Sequence, residues 1–504
     1  MAIEITRRST EFEACMGSSV SQALARAETL VPGAGREAIE VMLADAMAAV
    51  DSVEAQTDRV VVEGTVRCQA AYRQGDESTL RAVTAQTQIS QVFDMPGVLP
   101  GMTSRACCAI EHIDARYENG HMVFLVTVSV SAQAFSLTPT DVITEISDTD
   151  GVESRHVEIC TCRITAETGA QASLREEATL PAALDARTAL MEWGEAWVDS
   201  WEPDLGGVRV KGRVNTETLI SSGVEGRPAT SVRNSLDFDQ LVEVPEWLAG
   251  DVCAEAALVR LDTRVDQGGE REDSLLVIEA DVAVRVTSIG RDCISALDDA
   301  YATSGHMLEL DSSKSRLCAE IRCVKCTEQL KGTLLLSENA PGVGNVIAVS
   351  VHPNISGWTT EGDSIIEGIL EATVLYMPGG SDSVASARSE MPFTIKCPAL
   401  DTDAMVCLKV LAAEASTLMS DRVELKCSIG ITAFSRDEVS AHIIGSVSET
   451  DALRKRPGII LVWPGEGDSL WSIAKKYSLP TDTLKEMNGG TGDIDTGRAL
   501  MIRI

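Results

Sequence analysis

The stretch VVVEGTVRCQAAY, residues 60–72, alternates apolar and polar side chains around a central glycine. Two further stretches repeat the pattern, VRVKGRVNTETLI at 208–220 and SIIEGILEATVLY at 364–376. Each carries its glycine eight residues before the last position, at Gly64, Gly212 and Gly368. Alternation with period two is typical of a β-strand. The three stretches therefore predict three copies of one strand-rich unit.

Landmarks on both sides of these glycines keep the same order in each copy. Upstream, a strand-like stretch ends in a proline, at Pro32, Pro181 and Pro341. Downstream, an apolar strand is closed by a proline, at Pro96, Pro245 and Pro398. A pair of alternating strands around a polar turn follows, with the hairpin signal Asn119-Gly120 in the first copy. Because the glycines are 148 and 156 residues apart, we expect tandem domains at 1–155, 156–317 and 318–446.

Two segments after the first prolines are compatible with helices: REAIEVMLADAMAAV at 36–50 and ALDARTALMEWGEAWVDSW at 183–201. In the second, Trp193, Trp197 and Trp201 recur every four residues, on one helical face. These tryptophans could form a binding stripe or pack a helix on the adjoining sheet, and we favour packing. The predicted fold class is mainly β, with three β-sandwich-like repeats, short helices and a small C-terminal domain.

The charge of the chain excludes some classes of partner. The 504 residues carry 76 acidic and 43 basic side chains, for a formal net charge of −33. Such a field repels phosphate backbones and anionic membrane surfaces. We therefore expect no nucleic-acid binding. The N-terminal residues lack the apolar core of a signal peptide, and no stretch approaches a membrane span, so we expect synthesis in the cytoplasm and no membrane insertion.

The cysteines do not form a recognisable metal or disulfide framework. Fourteen cysteines in a chain of this length favour a reducing compartment, with most of them as buried small apolar residues. Cys160 and Cys162 share one face of a predicted strand. Cys323 and Cys326 form a single CxxC near Cys318, and no second pair stands at zinc-ligand spacing. We expect no metal and no cofactor, with oxidative cross-linking as a minor alternative.

The C-terminal residues predict a separate small domain. Residues 447–458 are polar, contain Pro457-Gly458 and are predicted to be a linker. Residues 459–504 then order as strand, helix, helix, strand. Asp468 is expected to cap the first helix. The apolar face of that helix is formed by Leu470, Ile473, Ala474 and Tyr477.

This module resembles the LysM family through GDSLWSIAKKY at 467–477, Asn488 and the sequence Gly497-x-x-Leu500-x-Ile502. The resemblance implies a βααβ fold that binds glycans containing N-acetylglucosamine, such as peptidoglycan. It places the groove at Gly467, Asp468, Ser469, Leu470, Asn488, Asp493 and Ile494. The loop PGEGDSL is two residues longer than the family's PGDSL, so a protein ligand is a serious alternative.

The repeats resemble the SPOCS domain of spore-coat and cortex-associated proteins. The resemblance rests on VPGAGREAIEVMLADAMAAV, RVVVEGTVRCQAAY, VFDMPGVLPGM and ENGHMVFLVTVSVSA in the first copy, with LKGTLLLSENAP and SIIEGILEATVLY in the third. It implies a morphogenetic protein made in the mother cell and placed on the forespore surface or spore coat. Its partners would be peptidoglycan or a coat morphogenetic protein. The strand edges could also pair copies into a homo-oligomer.

Nothing in the sequence favours catalysis. The chain lacks G-x-S-x-G, H-E-x-x-H and a phosphate-binding loop, and its six histidines show no ligand spacing. We therefore expect a non-catalytic structural protein of the endospore envelope. The alternative is a peptidoglycan-binding component of a phage tail or another envelope-associated machine. A cell-wall hydrolase with an unfamiliar catalytic domain is the least favoured interpretation.

Overall fold

A computed structural model describes most of the chain. The residues outside the description are 1–3, 34–37, 76–78, 148–150, 245–249, 269–271, 304–305, 338, 382, 452–457, 491–497 and 504. Pro245, one of the repeated prolines, therefore lies outside the described residues. Strand residues make up 79% of the structure and helical residues 4%, which confirms the mainly β fold class.

Each repeat is built from six strands. The first contains β1 Glu4–Leu30, β2 Ile39–Gln56, β3 Arg59–Gln74, β4 Leu80–Asp94, β5 Thr103–Glu118 and β6 His121–Ser147. The second contains β7 Val152–Leu180, a 3₁₀ turn Ala182–Leu184, β8 Ala186–Asp204, β9 Gly207–Ser222, β10 Ala229–Glu243, β11 Asp251–Asp266 and β12 Ser274–Ala302. The third contains β13 His306–Leu335, β14 Val343–Trp358, β15 Ser364–Pro378, β16 Ala385–Cys397, β17 Met405–Met419 and β18 Arg422–Asp451.

Two antiparallel three-stranded sheets form each repeat. In the first repeat one sheet has the order β1-β6-β5 and the other is the meander β2-β3-β4. The second and third repeats have the same two sheets, in the orders β11-β12-β7 and β10-β9-β8, then β13-β18-β17 and β14-β15-β16. A separate apolar core fills each pair of sheets. The repeats are therefore three β-sandwiches of one topology.

The repeated glycines occupy equivalent positions on the middle strands β3, β9 and β15. Opposite each one, the neighbouring strand has a β-bulge, at Val50/Ser52, Val198/Ser200 and Ile355/Gly357. A Cβ at Gly64 would lie 2.6 Å from the carbonyl oxygen of Ala49. Equivalent overlaps with a backbone carbonyl arise at Gly212 and Gly368. The bulged neighbour, which crowds this point, is the physical reason for the glycine.

The helix-compatible segments are strands, so the helical interpretation of β2 and β8 was wrong. A spacing of four residues puts tryptophans on one face of a helix, but it also puts them on one face of a strand. The bulge at Val198/Ser200 then separates Trp201, which is 41% exposed, from Trp197, which is 7% exposed. Trp197 packs against Gly430 of the third repeat, with the Lys325 ammonium 4.7 Å from its ring. It is a contact between repeats.

The three repeats surround one pseudo-threefold axis. At one end, an apolar cluster contains residues of the same register from each repeat: Leu43, Met191 and Ala348. Towards the other end, the long strands contribute another equivalent set, Val142, Ala296 and Ile443. Because each repeat contacts both others, the repeats form one body with a shared interior, and we call the end with the second set the tip.

The strands place the divisions between repeats differently from the predicted boundaries. The predicted boundary at 155/156 lies inside β7, and that at 317/318 lies inside β13. Strand β18 continues to Asp451, so residues 447–451 of the predicted linker belong to the third repeat, and residues 452–457 lie outside the description. The polar residues 447–451 were assigned to the linker because the polar end of a strand and a polar linker have similar composition.

The C-terminal domain has the predicted βααβ order. It contains β19 Ile459–Val462, α1 Leu470–Tyr477, α2 Thr481–Met487 and β20 Leu500–Arg503. Strands β19 and β20 pair antiparallel, and Ile473, Ala474 and Leu484 of the helices are buried. Within the described part of the chain, no helix has the length and apolarity needed to cross a membrane.

Candidate functional site

The first loop of the predicted groove is shaped by its two additional residues. The Asp468 amide donates to the carbonyl of Gly465 at 3.2 Å, and the Asp468 carboxylate accepts from the Gly465 amide at 2.8 Å. The third position of this turn is Gly467, with φ of 91°, a backbone conformation that favours glycine. The lengthened loop is therefore a closed turn between β19 and α1.

The residue that caps α1 is Ser469, so the prediction of Asp468 as the cap was wrong by one position. The Ser469 hydroxyl accepts from the Ser472 amide at 3.0 Å, and the Ser472 hydroxyl accepts from the Ser469 amide at 2.9 Å, which completes a capping box. Asp468 was a reasonable candidate because aspartate also caps helices. Its carboxylate instead closes the preceding turn.

Asn488 holds the second loop of the groove in place. Its amide nitrogen donates to the carbonyls of Leu484 and Met501, both at 2.9 Å, and its amide oxygen accepts from the Met501 amide at 2.7 Å. These bonds join the end of α2 to β20. The role of the Asn488 side chain in the structure is therefore to position the loop, and direct contact with a ligand stays a prediction.

The groove residues of the first loop face solvent. Gly467, Asp468 and Ser469 are exposed, and Leu470 is partly buried. Asp493 and Ile494, predicted for the second loop, lie outside the described residues. The structure thus brings Gly467 to Leu470 together in one loop, and the first three of these residues are accessible to a ligand.

The outer face of the β19–β20 sheet is apolar and exposed. It carries Ile459, Leu461, Trp463 and Met501, which are 69%, 54%, 64% and 42% exposed. Large apolar side chains that share one exposed face are typical of a protein contact. The domain therefore offers a second surface besides the groove.

A polar cluster lies on the pseudo-threefold axis, beside a cavity of about 570 Å³ lined by all three repeats. Asp45 of the first repeat is 4% exposed and accepts from the indole of Trp193 in the second. Its other oxygen is 3.0 Å from Nε2 of His352 in the third repeat. Burial would lower the pKa of His352, but the adjacent Asp45 carboxylate holds it above its ordinary value of 6.5.

This cluster lacks the geometry of a nucleophile relay. The hydroxyl of Ser350 is 3.3 Å from His352, but it approaches Nε2, the same ring nitrogen that faces Asp45. A relay needs the base and the carboxylate on opposite ring nitrogens. The arrangement instead joins three repeats through one buried carboxylate.

A second buried charge joins the repeats nearer the tip. Glu13 of the first repeat forms an ion pair with Arg436 of the third, and both side chains are 6% exposed. The other Glu13 oxygen accepts from the Ile164 amide of the second repeat at 2.7 Å. The Arg436 guanidinium lies 3.5 Å from the centre of the Phe135 ring. Sequence reasoning missed these residues, because only the fold brings them together.

Four of the fourteen cysteines form disulfides, which departs from the expectation of a reducing compartment and matches the minor alternative of cross-linking. Cys107–Cys407 joins the first and third repeats, and Cys160–Cys293 joins β7 to β12, while the other ten are free. Cys160 and Cys293 are direct cross-strand partners, a proximity that sequence spacing does not reveal.

Burial disfavours the thiolate at many of the free cysteines. Among the free cysteines, burial raises the pKa of Cys108 to about 12, which disfavours the thiolate. In the described residues the group with metal-ligand spacing is Glu158, Cys160 and Cys293, whose two sulfurs are bonded to each other. Cys323 and Cys326 of the CxxC lie three apart on β13 and so face opposite sides of the strand.

Comparison with family models finds two domains. The model described as SipL, SPOCS domain, matches residues 37–118, which contain β2 to β5 of the first repeat. The LysM domain model matches residues 465–502, from the closed turn to β20. No match was found among the curated proteins or the solved structures. The chain carries a SPOCS domain and a C-terminal LysM domain, both of binding or structural type, and together they suggest a sporulation-associated, peptidoglycan-binding protein.

Proposed function

We propose that this chain is a non-catalytic structural protein of the bacterial endospore envelope, attached through its LysM groove to a peptidoglycan-type glycan. The observation that carries the proposal is the loop Gly467–Leu470, which is exposed at its first three residues and shaped by the Asp468–Gly465 turn and the Ser469 cap. Such a loop lies at the surface, where a glycan can reach it without any change in the fold.

The three repeats suit a scaffold because apolar cores and buried charge pairs hold them together. Each sandwich has its own core, and the axis between them is occupied by apolar clusters and by charges that pair across repeats. Strands of 27 to 30 residues run towards the tip, and at about 3.3 Å per residue their contour length is roughly 90–100 Å. A body built on such long strands can hold an attachment domain away from its other contacts.

Sedimentation with purified peptidoglycan tests the attachment. Asp468→Lys removes the acceptor that closes the groove turn, and we expect it to lower the bound fraction at least tenfold. Asp482→Lys is the matched control, since Asp482 is 88% exposed at the start of α2, away from the first loop. Equal binding by Asp468→Lys and the parent chain would contradict the groove assignment. Release of soluble muropeptides by the purified chain would contradict the non-catalytic role.

A coat-layer protein is the second candidate ligand, and the exposed apolar face of β19–β20 favours it. Trp463→Ser could abolish placement on the spore while peptidoglycan sedimentation is unchanged. In that case a protein that binds the apolar face determines the placement. If Asp468→Lys loses sedimentation with peptidoglycan but is still placed on the spore, the groove and the apolar face likewise have separate roles.

Pairing between copies is a further part of the proposal. Strand β1 is an outer strand of its sheet, and Val20 and Leu24 on it are 67% and 75% exposed. Exposed apolar edges favour strand pairing with another chain. Light scattering should give a mass above the 53.8 kDa of one chain, and Val20→Lys should return it to the monomer.

A further inference from the structure

The C-terminal domain contacts the second repeat, although the third repeat precedes it in the chain. Tyr301, at the end of β12, is 5% exposed because it completes the apolar core of the C-terminal domain with Ile473 and Leu484. Its ring meets Trp471 edge-on, with the ring centres 5.0 Å apart. Its hydroxyl donates to the carbonyl of Leu479 at 2.9 Å.

Polar contacts surround this aromatic pair. The Trp471 indole donates to Asp299 at 2.7 Å, and the Lys475 ammonium lies 2.5 Å from the other Asp299 oxygen. The Arg155 guanidinium lies 5.4 Å from the centre of the Trp471 ring. Aromatic pairing, a charged hydrogen bond and a cation over an aromatic ring thus converge on one face of α1.

The receiving residues belong to the second repeat alone among the three. The register of the long strands aligns Asp299 with Glu145 and Ser446, and Tyr301 with position 147 and Ser448, both serines. Arg155, opposite Asp299, aligns with Thr6 and Asp311. Equivalent strand positions in the three repeats therefore carry one set of side chains that fits Trp471, and the domain lies at that tip.

We propose that the tip of the second repeat is a docking site for the C-terminal domain of the same chain, which makes that domain a fixed head. Gly467, Asp468 and Ser469 stay exposed while Trp471 and Lys475 are engaged. Docking and ligand binding therefore use different faces of the domain. Trp471 and Lys475 serve docking, while the first loop of the groove stays open to solvent.

Zero-length cross-linking of the full chain tests the docking directly. A carbodiimide joins an amine to a carboxylate as an amide where the two are in contact, and it takes up the water lost as a urea. We expect a Lys475–Asp299 link by peptide mass spectrometry. Lys211 and Glu202, 2.7 Å apart within the second repeat, give the reference link. Tyr301→Ser leaves all four linked side chains in place and introduces the residue that the other tips carry.

Tyr301→Ser should lower the yield of the Lys475–Asp299 link at least tenfold relative to the reference link. The proposal is overturned if the parent chain forms the reference link normally but no Lys475–Asp299 link. It is also overturned if Tyr301→Ser leaves the yield of the Lys475–Asp299 link unchanged. A mixture of isotopically light and heavy chains identifies the occupant. A link that joins a light peptide to a heavy one would mean that the tip receives the domain of a second copy, which contradicts docking within one chain. None of these results depends on glycan binding.

Discussion

Gly368 gives the sharpest test of the repeated architecture. A Cβ at this position would lie 2.5 Å from the Phe393 ring and would overlap the carbonyl oxygen of Asn354, a backbone atom that the bulge in β14 fixes in place. Overpacking in a close-packed interior costs about 1–3 kcal/mol. Replacing glycine by alanine stabilises by roughly 0.4–1 kcal/mol through the unfolded chain. Gly368→Ala should therefore lower the free energy of unfolding by about 1–2 kcal/mol.

Denaturant unfolding followed by circular dichroism measures this change as a lower midpoint at an unchanged slope. Gly357→Ala is the matched control, because Gly357 lies in the same sheet and a Cβ there meets nothing within 4 Å. We expect that variant to be as stable as the parent chain or slightly more stable. Gly64→Ala and Gly212→Ala should behave like Gly368→Ala. A Gly368→Ala chain as stable as the Gly357→Ala control would refute the role of the bulge.

Three further predictions concern the buried charges. Glu13→Ala should destabilise the chain by about 3–5 kcal/mol in the same unfolding assay, since it leaves Arg436 buried and unpaired. The control Glu11→Ala breaks an exposed pair with Arg163 and should cost less than about 1 kcal/mol. Because the pKa of His352 is raised above 6.5 by Asp45, protonated His352 stabilises the fold fully below pH 6.5. Stability should fall as the pH rises through the folded pKa, and His352→Gln should remove that dependence. Burial acts to raise the pKa of Asp299, but hydrogen bonds from Lys475 and Trp471 hold that pKa below 3.8. The contact between Asp299 and Trp471 should therefore persist at neutral pH and be lost as the pH falls through the folded pKa. Tryptophan fluorescence measures this loss.

Local patterns predicted the parts of the fold that depend on local physics. The alternation around Gly64 and its two equivalents predicted the middle strands, because one buried face requires period two. The order strand, helix, helix, strand was predicted for residues 459–504, and the structure has it. Helix α1 was placed correctly, and only its cap was misassigned, between the neighbouring residues Asp468 and Ser469.

Features that depend on distant contacts could not be predicted from the sequence. The spacing of Trp193, Trp197 and Trp201 fits both periods, and the strand β8 was decided by pairing with β9. The same limit applies to the groove. Its first loop follows from the motif, but Asn488 is engaged by Met501, a contact that only the folded β19–β20 sheet creates.

The arrangement of the repeats is also beyond a single sequence. Glu13, Asp45 and His352 are ordinary polar residues in alternating strands, and their pairing across repeats requires three sandwiches around one axis. Repetition predicted that there are three units. It did not predict that they share an interior, because the contacts that close the axis differ from one repeat to the next.

The cell itself gives the most direct test of whether this chain serves the spore envelope. A fluorescent fusion to the full chain should be absent from vegetative cells and should appear during sporulation as a ring on the forespore surface. Asp468→Lys in the same fusion shows how much of that placement depends on the groove. An even distribution through vegetative cells, with no enrichment at the forespore, would contradict the proposed function.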